Sequence, residues 1–219
     1  MISNIISSDD LFLKNAWSIQ LFLPQKQLNT NSEFELVRLE ALVHERREHI
    51  TLTASDKNVN YIGLENIESQ TGRVVSFIPR QGEEIKSTCK RFYQGDILYG
   101  RLRPALNKVY YNDRFVEGVC TTEILVLSPL LERINPVYLS ELLRTEMINN
   151  RIVGLIKGAA LPRIAMTDMK QILLPIPSLR RQNEIAEEIL KKRRELEEHI
   201  RLAREIPIEI DKYITAAYQ

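Results

Sequence analysis

The stretch Gly95–Lys108, GDILYGRLRPALNK, places Arg101, Arg103 and Lys108 within eight positions, just after the apolar run Ile97-Leu98-Tyr99. Guanidinium and ammonium groups at that density donate to phosphate oxygens, and arginine can also grip a guanine edge through two parallel hydrogen bonds. Gly95, Gly100 and Pro104 punctuate the run. Glycine allows positive φ and proline fixes φ, so the spacing predicts a short strand entering a rigid basic turn. A solvated basic loop between two strands has the same composition. Lys90 and Arg91 precede the turn, and from Lys86 to Arg114 seven Lys and Arg face only Asp96 and Asp113. A second candidate is KGAALPR, where Lys157 and Arg163 flank small residues and Pro162. Small residues let a backbone approach a partner closely, although a plain connection would look alike.

Catalytic patterns are scarce. Glu84-Ile85-Lys86 matches the ExK half of a metal-dependent nuclease motif, but no Pro-Asp pair precedes it and Gln81-Gly82-Glu83 reads as a turn. The chain has no GxGxxG, P-loop, HExxH or (N/D)PP(Y/F) tetrapeptide. Cys89 and Cys120 lack CxxC spacing, and His44, His49 and His199 supply no second pair of zinc ligands, so two reduced thiols and no metal are expected. The pattern is that of a binding protein.

The elements that must position these residues follow from the rest of the chain. Its 219 residues suffice for one domain with a core plus an appended element. Apolar content of 44% and charged content of 27% are ordinary for a globular protein. A net charge of +1 excludes a general polycation, so any nucleic acid must be met by a local patch. No apolar run reaches bilayer length, and Asp9 and Asp10 precede the first apolar stretch without a basic leader; a cytoplasmic protein is expected.

Residues 1–32 read as an N-terminal helical arm, capped at Ser7–Asp10, with Leu11, Phe12, Ile19 and Phe22 on one face and Pro24 at its end. Whether it is a core helix or docks on a partner stays open. Leu36, Leu39, Leu42 and Val43 have helical spacing, and HERREH suits a solvated face. Short β-rich runs follow at Tyr61–Leu64, Val74–Ile78, Ile97–Tyr99, Val109–Tyr111 and Ile124–Leu127, separated by turn residues. They predict an α+β fold with a curved, mostly antiparallel sheet. Asn135-Pro136 starts a helix whose apolar stripe runs from Leu139 to about Ile152. Pro175 and Pro177 then stop a strand ahead of a long helix from Ser178 to about Glu205, which Pro207 should break before a short tail. Glu187/Lys191, Glu188/Lys192 and Glu197/Arg201 are favourable i,i+4 pairs, and Ile185, Ile189, Leu196 and Ala203 form a coiled-coil-like seam interrupted by Lys192 and His199. The expected units are 1–32, a body over 33–177, and the helix with its tail over 178–219.

In order, GDILYGRLRPALNKVYY, GVCTTEILVLSP, a helix, GAALPRI and ILLPIPSLRRQNEIAEEIL resemble the target recognition domain of type I restriction–modification specificity subunits, over roughly residues 36–204. One departure is Arg181 before Gln182, where that family often has an acid. The resemblance implies a non-catalytic, DNA-reading subunit. In that family two such domains are held apart by antiparallel helices and each reads half of a bipartite site. Partner methyltransferase subunits carry S-adenosylmethionine, so no cofactor is expected in this chain, and restriction/translocase subunits can join them. With one domain and one helix, this sequence is half of that plan, either as a half-subunit or as a piece of a longer protein. A second copy, paired through Ile185, Ile189, Leu196 and Ala203, would then complete it on a palindromic site. Lys90, Arg91, Arg101, Arg103, Lys108, Lys157 and Arg163 are the expected DNA contacts, with Tyr99 able to stack or to lie buried. The alternatives are a recognition module of another methyltransferase or restriction enzyme, a nuclease acting through Glu84 and Lys86, or a helical scaffold with no DNA role.

Overall fold

The runs Ile97-Leu98-Tyr99 and Ile124–Leu127 lack the polar alternation of a half-exposed strand, so both of their faces must be covered. The computed structural model, which describes residues 34–156 and 161–218, shows what covers them. Strands β2 (Val43–Arg46), β6 (Ile97–Gly100), β7 (Val109–Tyr111) and β9 (Ile124–Pro129) form one sheet in the order β2-β9-β6-β7. A second sheet, β3-β5-β8-β4, combines β3 (His49–Ile50), β4 (Tyr61–Ile62), β5 (Cys89–Tyr93) and β8 (Glu117–Thr121). All these pairs are antiparallel except β4 with β8. Leu98, Ile124 and Val126 point between the sheets, onto Phe92, Phe115 and Cys120. Ile97, Tyr99, Leu125 and Leu127 point the other way, into the main core.

That core is closed by α1 (Pro136–Arg144) and α2 (Glu146–Gly154) through Leu139, Leu143, Ile148 and Ile152. Asn135 caps α1, its side chain accepting from the Val137 and Tyr138 amides. The expected single stripe to Ile152 is split at Thr145, whose hydroxyl caps α2. A short α3 (Met166–Lys170) leads into β10 (Leu173–Ile176), which pairs with β1 (Glu35–Arg38).

Four expectations are corrected. The Leu36–Val43 segment is not a helix but β1, a 3-10 turn over Leu39–Ala41, and β2, because β10 offers β1 an edge and Leu39 and Leu42 still reach the core. Val74–Ile78 makes only one bridge, Val74 to Ile67, and Ser76 adopts φ +50°, so no strand forms there. Conversely β5 and β8 arise from CKRFY and EGVCT, whose charges and glycine hide the strand pattern. Finally, Pro207 does not end the last helix: α4 runs from Leu179 to Ala216, and Ala203, whose carbonyl Pro207 cannot bond, is an exposed residue.

Asp96 ties the strands together. Its buried carboxylate accepts from Arg46 Nε (3.0 Å, β2), Ser128 Oγ (2.6 Å, β9) and the Tyr93 amide (2.8 Å, β5). Replacing it by alanine takes the acceptor from Arg46 Nε, the Ser128 hydroxyl and the Tyr93 amide, while Arg46 keeps its ion pair with Glu48. Asp96→Ala is expected to cost roughly 3 kcal/mol, measured as a lower urea midpoint at unchanged slope; a loss under about 1 kcal/mol would show that water replaces the carboxylate.

Candidate nucleic-acid interface

The basic turn is rigid for reasons that can be named. At the end of β6, Gly100 donates to the Lys108 carbonyl (2.8 Å), and a Cβ there would come within 3.0 Å of Leu64 and 3.2 Å of Lys108. A 3-10 turn over Pro104–Leu106 is flanked by Arg103 and Asn107, at φ +49° and +52°. Left-handed backbone at non-glycine residues needs outside support, and Asn107 supplies it: its side chain donates to the Arg144 carbonyl (2.7 Å) and to Gln70 Oε1 (2.9 Å).

The second candidate loop lies against the first. The Arg103 amide donates to the Pro162 carbonyl (2.8 Å), and the Ile164 amide to the Arg101 carbonyl (3.1 Å), so Leu102 and Arg163 form an antiparallel bridge. The Arg101 amide donates to the Glu123 carbonyl (2.9 Å), on the β8–β9 turn. Three stretches distant in sequence thus share one edge. Arg101, Arg103 and Arg163 all lie on these paired segments: Arg103 is exposed, Arg101 is half-buried with Nε unpartnered, and Arg163 forms a two-pronged ion pair with Glu123.

The other expected contacts fall elsewhere. Lys90 is 5% exposed and gives its ammonium to the Ile124 carbonyl (2.9 Å). Burial pushes its pKa below the ordinary 10.5. Lys108 donates to the Leu64 and Ile67 carbonyls, both at 2.7 Å, and so anchors the turn. Arg91, next to Lys90 on β5, points to the opposite face and lines a 320 Å³ hollow with Asp56, Asn58 and Glu117. The Tyr99 hydroxyl is buried in the main core with no hydrogen-bond partner. Lys157 and the arm over 1–32 lie outside the described residues. Glu84 accepts from the Gln81 amide across its own turn, and no group of three or more metal-binding side chains occurs among the described residues. Cys89 and Cys120 are buried free thiols.

Glu123 is the site residue that sequence reasoning missed. Its only signal was a lone acid within GVCTTEILVLSP, a stretch that holds no cation of its own. The hydrogen bonds from Arg163 hold its carboxyl below the usual range, and the same bonds raise the guanidinium of Arg163.

The long helix leaves the body under firm guidance. Ser178 Oγ caps it, and buried Gln182 accepts from the Asn135 amide (2.8 Å) while donating to the Pro177 carbonyl (2.9 Å). Further along, Arg193 pairs with Glu141, which also meets Arg144, and Arg73 Nε binds Glu197 Oε1 at 2.6 Å. Glu197 therefore serves the body rather than Arg201, which pairs with Glu198 and Glu205. Among the seam residues, Ile185 packs on the core and Ile189 is half-buried, whereas Leu196 and Ala203 are exposed. No described helix is long and apolar enough to cross a membrane.

A layered α+β body with a preorganised arginine edge and a projecting helix defines a recognition module. A sequence model of the type I restriction modification DNA specificity domain matches residues 31–211, and the chain belongs to that family. It is similar to the type I restriction enzyme EcoDI specificity subunit of Escherichia coli, with 26% identity over 132 residues, 60% of this chain and 29% of that protein. Its fold is similar to the HsdS subunit from Thermoanaerobacter tengcongensis, with TM-score 0.66 and 22% identity over 82% of this chain and 47% of the other. It is also similar to a chain from a structure on complex assembly and conformational transition of the type I R-M system, with TM-score 0.65 and 23% identity over 80% and 46%. The chain spans less than half the length of each of these relatives.

Lys90 offers a pH test. A lysine with a depressed folded pKa carries a charge-burial penalty in full at low pH, and loses it as pH rises through the folded pKa toward 10.5. Wild-type stability should therefore rise relative to Lys90→Met over that window, in urea titrations at stepped pH. A flat difference would mean that the ammonium is solvated and available to a ligand.

Proposed function

We propose that this chain reads one half of a bipartite DNA site as a non-catalytic specificity module, through the paired segments that carry Arg101, Arg103 and Arg163. The observation that carries this reading is the backbone pairing of Arg101–Arg103 with Pro162–Ile164, which holds two separate basic segments side by side. Family membership agrees with it. Double-stranded DNA is the ligand, and phosphate contacts give affinity while base edges give selection. Methyltransferase subunits, holding S-adenosylmethionine, supply the chemistry on adenine, and restriction/translocase subunits can join the same assembly. The complex acts in the cytoplasm.

The second half-site calls for a second domain, and in our reading a second copy provides it. Beyond Glu197 the described residues of the helix make no hydrogen bond or ion pair with the body, and the helix displays Leu202, Ile206, Ile210, Tyr213 and Ile214, each more than two-fifths exposed. Apolar residues at three- and four-residue spacing on a bare helix favour pairing with another helix. Two-fold pairing presents two identical reading edges, hence a palindromic site with a spacer.

Arg101→Ala with Arg103→Ala, in a gel-shift assay with the methyltransferase present, should weaken binding by about 1–3 kcal/mol for each guanidinium that grips a base edge. The log–log salt slope should fall by about 1 for each guanidinium that neutralises a phosphate. Unchanged affinity and methylation would sink the assignment. Separately, sedimentation should show a concentration-dependent dimer that Leu196→Glu with Ile210→Glu abolishes. A wild-type monomer at high concentration would remove the pairing model and leave the reading edge untouched.

A further inference from the structure

Glu123 is an acid set against both basic segments of the proposed reading edge. It sits on the tight Thr122-Glu123 turn joining β8 to β9, so it bridges the two sheets. Its main-chain carbonyl accepts from the Arg101 amide (2.9 Å), which fixes the turn against the basic segment. Its carboxylate takes three hydrogen bonds from Arg163: Oε1 accepts from Nη2 at 2.8 Å and from Nε at 3.1 Å, and Oε2 from Nε at 3.0 Å.

This geometry fills one edge of the Arg163 guanidinium, the edge formed by Nε and Nη2. The opposite edge, Nη1 with the second Nη2 hydrogen, has no partner among the described residues, and 40% of the side chain remains exposed. Arg163 is held from two sides, by Glu123 through its head and by the Leu102 bridge through its backbone. A fork fixed in this way has given up its rotamer freedom before any ligand arrives, so binding costs less entropy. The two free donors match guanine O6 and N7, and they also match two phosphate oxygens. The carboxylate separates these cases: a phosphate drawn to Arg163 approaches a like charge, whereas a guanine edge is an uncharged acceptor.

We propose that Glu123 is a positioning residue for base reading, setting the Arg163 guanidinium toward a guanine edge and opposing phosphate at the same place. Its effect falls on discrimination between sites more than on overall affinity. This deepens the DNA-reading role proposed above and rests on it.

The test is a methylation map. The full chain, expressed with its methyltransferase subunits, carries Glu123→Ala, Glu123→Gln or Arg163→Lys, and methylated adenines are located across the host genome. Wild type should give one fixed motif. Glu123→Ala should relax a single guanine position in each half-site by about 5- to 150-fold, while the other positions stay sharp. Non-specific binding to a random-sequence duplex should hold or tighten. Arg163→Lys keeps the charge but not the fork and should relax the same position; Glu123→Gln, with one acceptor left, should lie between. An unchanged motif at unchanged occupancy in Glu123→Ala overturns the inference. So does a uniform loss at every position together with a lower melting temperature, which assigns a structural latch. If Glu123→Ala does not fold, Glu123→Gln and Arg163→Lys decide, and an unchanged motif in both overturns it. A wild-type complex that leaves no motif removes the DNA-reading role itself, a result visible before any variant is compared.

Discussion

The arrangement of this surface depends on a short stretch of backbone pairing. Arg103 donates to Pro162, and Ile164 donates to Arg101. These two bonds join segments about sixty residues apart, with the Arg101-to-Glu123 bond bringing in a third. Main-chain bonds do not depend on which side chains the residues carry, so the edge can vary its arginines and keep its shape. That separation suits a module whose scaffold is shared while its contacts differ. The cost is local strain, seen in the left-handed backbone of Arg103 and Asn107, and it is met by buried hydrogen bonds from Asn107 to neighbouring elements.

Much of the fold was legible because the strongest patterns are local. The Asn135-Pro136 helix start, the double-sided apolar runs of β6 and β9, and the Ser178 start of the long helix follow from neighbouring residues alone. What escaped depends on distant partners. The 36–43 segment became β1 and β2 because β10 and β9 present edges to it. CKRFY became a central strand because β8 pairs along its whole length. Pro207 lies inside an exposed helix, where the carbonyl left without its N–H donor is open to solvent hydrogen bonding.

The site itself was half legible, and the reason is physical. Counting cations located the basic segments, since composition is a sequence property. It could not tell which cations face outward. Lys90 and Lys108 look like ligand contacts in the sequence, yet each ammonium is committed to main-chain carbonyls. Glu123 was invisible for the complementary reason: its importance lies in an ion pair across forty residues. A similar ambiguity affected the long helix, where Ile185 belongs to the body and Leu196 to the free surface, so that one seam serves two purposes.

A chain of net charge +1 that is to bind DNA cannot rely on attraction from a distance. With two of its central lysines used internally, the exposed arginine edge holds few cations, and of those Arg163 is fixed by hydrogen bonds from its side chain to Glu123. For the DNA-reading role proposed above, weak long-range attraction combined with short-range donors favours selectivity over affinity in each half-site. In the proposed role the missing affinity would come from joining two edges, because a second binding event on a linked site is intramolecular. The linkage must then be stiff, and the Gln182 hydrogen bonds with the Arg193–Glu141 and Arg73–Glu197 pairs fix the helix to the body as far as Glu197. The same ion pairs that orient the helix therefore bear on what the arginine edge can recognise, since an edge of modest charge gains from its partner only when the distance between the two is held constant.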